Sequence, residues 1–358
     1  MNLKLILFLL LSLLILAGCD DDDGAKNPVK IEWKALGLDG KTVNQMQLHN
    51  NNLYIATNSG LYKYKVGAAA GSFKLLGFDA KNVQAVEVID DKHLIASLYD
   101  KLGNKAPAFY ITEDAGDTWS PAPQFGGNAP EPVLDFAIRP DNPDIWYAAG
   151  LGVIAKSEDA GQTWEPIWGS WGAVATGVSV VTVNPNGDNE IWAGGQGAIE
   201  NGYLLRSDNE TVWDLWDDLA DNPSTVKEIT FGEKGPNHVL VGFEGALVET
   251  EDGGTTWNTL IDSEQHKFFF GICTSKSNAN TFYVGGWLKT ADPQPLVLHI
   301  TTDGGQTFKD EGYASEPYGG IWDMVIINDA ASRKDILYLG LDKGGIYEVT
   351  IPTDALAK

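Results

Sequence analysis

The chain has 358 residues, and 49 acidic side chains against 25 basic ones give it a formal charge of −24. A surface this negative repels phosphate backbones and anionic headgroups, which excludes nucleic acid and bare membrane surfaces as direct ligands. At 43% hydrophobic with 12 Trp there is material for a large core, and the length alone would allow two domains.

The N-terminus reads as a targeting segment. Met1-Asn2-Leu3-Lys4 is a short cationic start and residues 5–16 form an apolar run too short for a membrane span. Leu16-Ala17-Gly18-Cys19 resembles the lipobox of bacterial lipoproteins. That resemblance implies a signal peptide over residues 1–18, lipid on Cys19, a place in the bacterial cell envelope, and membrane contact through that lipid alone. Cys273, the other cysteine, is then without a disulfide partner and reads as a small core residue in an apolar strand. Asp20 to Asp23 open a lipidated acidic tether over residues 19–29, because four adjacent like charges repel and bury nothing. Aspartate after a lipidated cysteine resembles an inner-membrane retention signal, whereas an acidic run there resembles a surface-export signal, so either membrane remains open.

From residue 30 onward the pattern is β. Residues 31–36 form one apolar strand, and then a three-strand unit recurs seven times. Its third strands fall at 61–64, 108–111, 152–155, 203–206, 246–249, 296–299 and 345–348. Small-residue second strands such as 53–56, 145–148, 191–194 and 336–339 precede them, after apolar first strands such as 133–138, 178–183 and 322–327. Four third strands run into Ser/Thr-x-Asp-x-Gly-x-Thr-aromatic, at residues 112–119, 157–164, 250–257 and 301–308, and 207–213 is a worn copy. Their first residues lie 43 to 51 apart, the period of propeller blades. In a tight turn the hydroxyl and the carboxylates of Asp114, Asp159, Asp252 and Asp303 would accept backbone N–H groups, and the Gly would take a positive φ. These aspartates are therefore expected to be scaffold.

The eight-residue unit resembles the Asp-box, or bacterial neuraminidase repeat, of sialidases, sortilin-type receptors, xyloglucan hydrolases and photosystem II assembly factor propellers. The resemblance covers nearly all of the chain after its first thirty residues. The expected fold is all-β: a single seven-bladed β-propeller of four-stranded blades over residues 30–352, with 353–358 as a tail. The last repeat ends at Ile351 without an outer strand, and residues 31–36 read like the outer strands at 163–167 and 256–260. The N-terminal strand is thus expected to join the C-terminal blade, closing the ring and removing two exposed edges.

In families with this unit the repeated turns share one face, and the resemblance implies that the other face carries ligands. Loops between second and third strands are short in repeats one, three, five and seven and long at 99–107, 195–202 and 286–295. Long loops and inter-blade connections would place Tyr99, Phe125, Trp168, Trp171, His266, Trp287, Tyr313 and Tyr318 on that rim, residue types that grip proteins or sugars. Aligned first strands put Gln45, Asp135, Glu228 and Asp323 near the central channel, where polar groups line a wet lumen. Asp135, Glu228 and Asp323 are the only candidates for the opposed carboxylates of a glycoside hydrolase. A sialidase needs three converging arginines, but Arg139, Arg206 and Arg333 fall apart on the turn face and the Phe-Arg-Ile/Leu-Pro signature is absent. The five His share no metal-ligand spacing, and there is no phosphate loop or nucleophile elbow, so no metal and no cofactor are expected. The expected function is a monomeric, membrane-anchored, non-catalytic binding or assembly protein with a protein client on the loop face. The alternative is a carbohydrate-active propeller, either a glycan-binding lipoprotein or a glycosidase.

Overall fold

The computed structural model describes residues 30–98, 109–122, 125–126, 131–173, 177–187, 189–198, 201–219, 224–263 and 266–355. The expectations for residues 1–29, including Cys19, and for Tyr99 and its loop fall outside them. The described strands form seven antiparallel sheets of four. The chain is a seven-bladed β-propeller.

Six blades are sequential. The seventh takes Ile321–Asp329, Lys334–Leu341 and Gly345–Pro352 from the C-terminus and Glu32–Gly37 from the N-terminus. Glu32 lies opposite Thr350 and Trp33 opposite Val349, so the expected closure is observed. Leu36 of the closing strand is buried among Val43, Leu53, Tyr338 and Ile346, at the joint between blades seven and one.

The core is a ring of inter-blade slabs. Tyr54, Ala56 and Leu61 of blade one pack on Val83, Val86 and Leu94 of blade two, and Tyr283 and Leu298 of blade six pack on Ile321, Leu337 and Leu339 of blade seven. A second strand therefore has a neighbouring sheet on each side, and the polar–apolar alternation disappears, as in Trp146–Ala149 and Val239–Gly242, buried throughout. Outer strands such as Glu165–Gly169 mostly face solvent. Register-equivalent second-strand positions are all small: Ala56, Ser97, Ala149, Gly194, Gly242, Gly285 and Gly340. A Cβ on Gly194 would lie 2.4 Å from Val226 of the next blade, and one on Gly340 would lie 2.5 Å from Val43.

The repeated turns close as their residues dictate. In the Ser157 copy, Asp159 Oδ1 accepts the N–H of Thr163 at 2.8 Å and of Gln162 at 3.0 Å, while Ser157 Oγ accepts Gly161 N–H at 2.8 Å. Two successive residues take positive φ, Ala160 at 52° and Gly161 at 82°, so the residue before the glycine also adopts the left-handed region. In the worn copy Asn209 replaces the aspartate and Glu210 sits at φ 63°. Glu210 accepts from Tyr147 Oη at 2.6 Å and Lys156 Nζ at 2.8 Å, tying the weakened turn to blade three. Asp159→Ala is expected to cost about 1 kcal/mol, the size of a lost cap, and to leave ligand binding unchanged. A thermal melt beside a binding isotherm checks this, and selective loss of binding would contradict it.

Candidate functional site

The first strands line the central channel, and the side chains predicted there meet in it. Gln45, Asp135, Glu228 and Asp323 all border one polar cavity of about 200 Å³. Most of these groups serve as clasps between blades. Asp323 accepts the N–H of Met46, and Asp135 Oδ2 accepts that of Val181 at 2.9 Å. Gln45 Oε1 accepts Val86 N–H at 2.8 Å, while its Nε2 donates across the lumen to Asp135 Oδ1 at 2.8 Å. Ser179 Oγ donates to Val226 O, Thr230 Oγ1 to Ile272 O at 3.2 Å, and Cys273 Sγ to Met324 O at 3.4 Å. Six of the seven joints thus carry a side-chain clasp among the described residues. The joint between blades two and three carries none, and Glu228, unlike the other aligned channel residues, accepts only from Thr230 Oγ1 of its own strand, at 2.6 Å, among the described residues.

Residues that alignment of aspartates does not reveal complete the cavity: Lys227, Phe270 and Trp322. The register slips between Val43 and Gln45, Val83 and Ala85, Val178 and Val180, and Ile321 and Asp323. Each bulge re-aims one extra side chain at the lumen, so Asn44, Gln84, Ser179 and Trp322 join the lining. Trp322 Cα stands beside a clasp residue, where strict alternation would turn it away. The only available signal was its adjacency to the aligned position.

The lumen is polar, and its acids respond to their burial. Burial pushes the Asp135 carboxyl up to about 7 against the pull of the Val181 N–H. Burial, then the neighbouring charge of Asp323, pushes Glu228 up to about 8. Burial pushes Glu87 up to about 8 although Gln47 donates to it. Lys227 and Asp323 oppose one another: burial lowers the lysine and raises the aspartate, and each charge favours the other.

These shifts set an acid-side stability optimum. A carboxyl raised in the fold contributes stability that is present below its ordinary range and lost as pH rises through 7 to 8. Lys227, lowered in the fold, contributes in the opposite sense, its share being lost as pH falls through its folded value. Asp114 of a repeated turn, held down to about 2 chiefly by the Thr118 hydroxyl, loses its contribution only in strong acid. The melting temperature is expected to peak between about pH 4 and 6 and decline towards pH 8. Glu228→Gln should flatten the decline, and melts from pH 3 to 9 that superimpose for the two proteins would refute the assignment.

The rim residues separate into two groups. His266, Trp287 and Tyr318 come together beside blade six. Lys289 N–H donates to His266 O at 2.9 Å, and Gln294 grips Leu288 through both ends of its carboxamide, at 2.8 and 3.0 Å. Gln294 N–H donates to Pro317 O at 2.6 Å, which sets Tyr318 beside Gln294. Leu288 is 41% and Tyr318 40% exposed. Trp287 is half-buried, its Nε1 donating to Asp342 Oδ2 at 3.1 Å and its ring meeting Trp322 at 4.7 Å, so rim and channel mouth share one aromatic wall.

The others are wedges between blades. Phe125, expected on the rim, is 1% exposed and meets Trp164 and Trp171 edge-on at 5.3 and 4.8 Å. Its segment folds into the slab between blades two and three, because a ring against two indoles buries more area than one in solvent. Trp168 is half-buried and stacks on Tyr203 at 5.7 Å, and Tyr313 stacks on Trp33 of the closing strand at 5.7 Å. Arg139 pairs with Asp141 at 2.7 Å, while Arg206 binds Glu190 and, at 3.2 Å, Asp214.

No family model and no curated protein matches the chain. Solved structures do. YCF48 bound to D1 peptide aligns at a TM-score of 0.63 and 14% identity, over 91% of this chain and 99% of that one. The GH74 xyloglucanase from Xanthomonas campestris aligns at 0.65 and 14% over 89% of this chain and 53% of its own, so the chain spans about half of that enzyme. A chain of the mitotic checkpoint complex aligns at 0.62 and 12%, over 97% and 98%. At these identities the likeness is one of fold, and the fold serves peptide binding, hydrolysis and assembly alike.

Proposed function

We propose that this chain is a lipid-anchored protein of a bacterial cell envelope, held through Cys19 and its acidic tether, whose loop face binds a protein client without catalysis. The observation that carries this reading is the blade-six rim: Leu288 and Tyr318, both exposed, are fixed by Gln294 on a rigid sheet end beside Trp287. Pre-positioned aromatic and aliphatic anchors of this kind carry most of the energy of protein interfaces. The clasps support the absence of catalysis, since Asp135 and Asp323 each hold the next blade's N–H and are not free as an opposed pair. YCF48, matched over nearly its whole length, is a propeller with a bound peptide. The charge of −24 favours a client with a basic contact surface.

Cross-linking of the lipidated protein in its own membrane tests this. Leu288→Asp with Tyr318→Ala should abolish the cross-linked client band that Asp159→Ala retains. A band unaffected by the rim variants would overturn the proposal. A second reading, glycan binding, is favoured by the aromatic wall of Phe270, Trp287 and Trp322 at the channel mouth and by the xyloglucanase likeness.

A further inference from the structure

The cavity at the channel mouth is bordered by an amine that meets no acceptor among the described residues. Lys227 Nζ is shielded from solvent and makes no hydrogen bond to any of them. It lies 4.1 Å from the centroid of Trp322 and 4.9 Å from that of Phe270. Ring faces attract a cation, but they leave three N–H donors unmet, and an unmet buried donor costs about 1–3 kcal/mol or more. Around the lumen stand Asp135, Glu228, Asp323, Gln45 and Gln84, and the enclosed volume is about 200 Å³. That is below the roughly 300–1,000 Å³ of pockets for drug-sized ligands, and equals the share of about half a dozen waters or of one small ring.

Charge decides what kind of ring. An anion could take the Lys227 protons but would face Asp135, Glu228 and Asp323 at once. A cation would suit the acids but would meet the like charge of Lys227, which lies over both rings. A neutral polyhydroxylated ring satisfies both sides. Each hydroxyl can accept from Lys227 and donate to a carboxyl oxygen, and the ring brings no charge to oppose either.

We propose that the mouth of the central channel is a binding site for one neutral, hydroxyl-rich ring, a sugar residue or a cyclic polyol, oriented by Lys227 and the Asp135–Glu228–Asp323 arc against the Trp322–Phe270 wall. The site adjoins the client rim through the Trp287–Trp322 contact. It rests on the glycan reading, whose Phe270–Trp322 wall it uses, and assigns that reading a size and an orienting amine. Two sources can supply such a ring, a free monosaccharide or polyol and the terminal residue of a glycan chain.

The test is titration of the full chain, purified in mild detergent, with glucose, galactose, xylose and myo-inositol and with oligosaccharides of the same sugars, by calorimetry and tryptophan fluorescence. Saturable binding of at least one ring is expected, weakened at least tenfold by Lys227→Met, which keeps the length of the side chain and removes its donors. Trp322→Ala should abolish the fluorescence change, and circular dichroism of both variants confirms the fold. Equal or tighter binding of the oligosaccharide identifies a glycan terminus, and binding of the free ring alone identifies a monosaccharide or polyol. Sugar binding that survives Lys227→Met and is lost in Tyr318→Ala would put the glycan on the rim, overturning the channel site while leaving the glycan reading in place. No binding of any ring, or tighter binding of acetate or methylammonium, would overturn the site outright.

Discussion

A chain lacking residues 30–37 is expected to be recovered as aggregate, or to melt more than 10 °C below the full chain, because the ring then loses its lock. The closing strand buries Leu36 at the joint of blades seven and one and stacks Trp33 on Tyr313 of blade six. It also binds blade one directly, Leu36 O accepting Gly71 N–H at 2.7 Å. Burying one leucine contributes about 1.5–3 kcal/mol and each ladder bond about 1 kcal/mol. Together they approach the net stability of a domain, about 5–15 kcal/mol. The truncation also bares the edge of Gly345–Pro352, a template for pairing with another copy. Leu36→Ala separates the two effects: it should cost about 2–4 kcal/mol and leave the protein soluble. Size-exclusion chromatography with a thermal melt of the two proteins decides, and an unchanged melting temperature in the truncation would mean that the ring is held elsewhere.

The fold was legible in the sequence because its cues are local and repeated. The turn Thr250 to Trp257 needs its hydroxyl, carboxylate and glycine at fixed offsets, and the same offsets recur at Thr301. The closing strand could be read because Trp33 stands where Trp164 and Trp257 stand in other outer strands. The channel acids were legible by the same alignment, and Asp135, Glu228 and Asp323 do border one cavity. Lys227, Phe270 and Trp322 were not, because bulges and strand entries aim them at the lumen against the two-residue period. Phe125 could not be placed either: an aromatic in an inter-blade connection reads identically whether it caps a rim or fills a slab. Which it does depends on Trp164 and Trp171, dozens of residues away.

The clasp pattern also gives most polar first-strand positions a part in holding the ring together. Joints between blades are backbone-to-side-chain contacts, so the polar first-strand positions are held to structural work by the need to satisfy N–H groups that the blade's own sheet leaves open. Among the described residues Glu228, whose carboxyl bonds only Thr230 of its own strand, and Lys227, which meets other blades only through the rings of Phe270 and Trp322, make no such hydrogen-bonded clasp.

Gly242→Ala is expected to be among the most damaging single methyl groups in the ring. Gly242 ends the second strand of blade five opposite Glu228, and a Cβ there would lie 1.9 Å from the carbonyl oxygen of Phe269 in blade six. Overpacking commonly costs about 1–3 kcal/mol where side chains can yield. Here the obstacle is backbone, and Phe269 is fixed by its N–H donating to Phe243 O at 3.4 Å and by burial of its ring against Leu240 and Leu247. The cost should therefore reach or exceed about 3 kcal/mol, a fall in melting temperature of roughly 5–10 °C. Relief would come only by moving the strand that carries Phe268 and Phe270, so the channel mouth should change with it, visible as altered fluorescence of Trp287 and Trp322. Gly312→Ala is the control, on an outer strand where a Cβ would meet nothing closer than Leu296 O at 3.8 Å, and it should melt with the parent. If Gly242→Ala melts with Gly312→Ala, blades five and six do not approach this closely, and the small residues of the second strands need another cause.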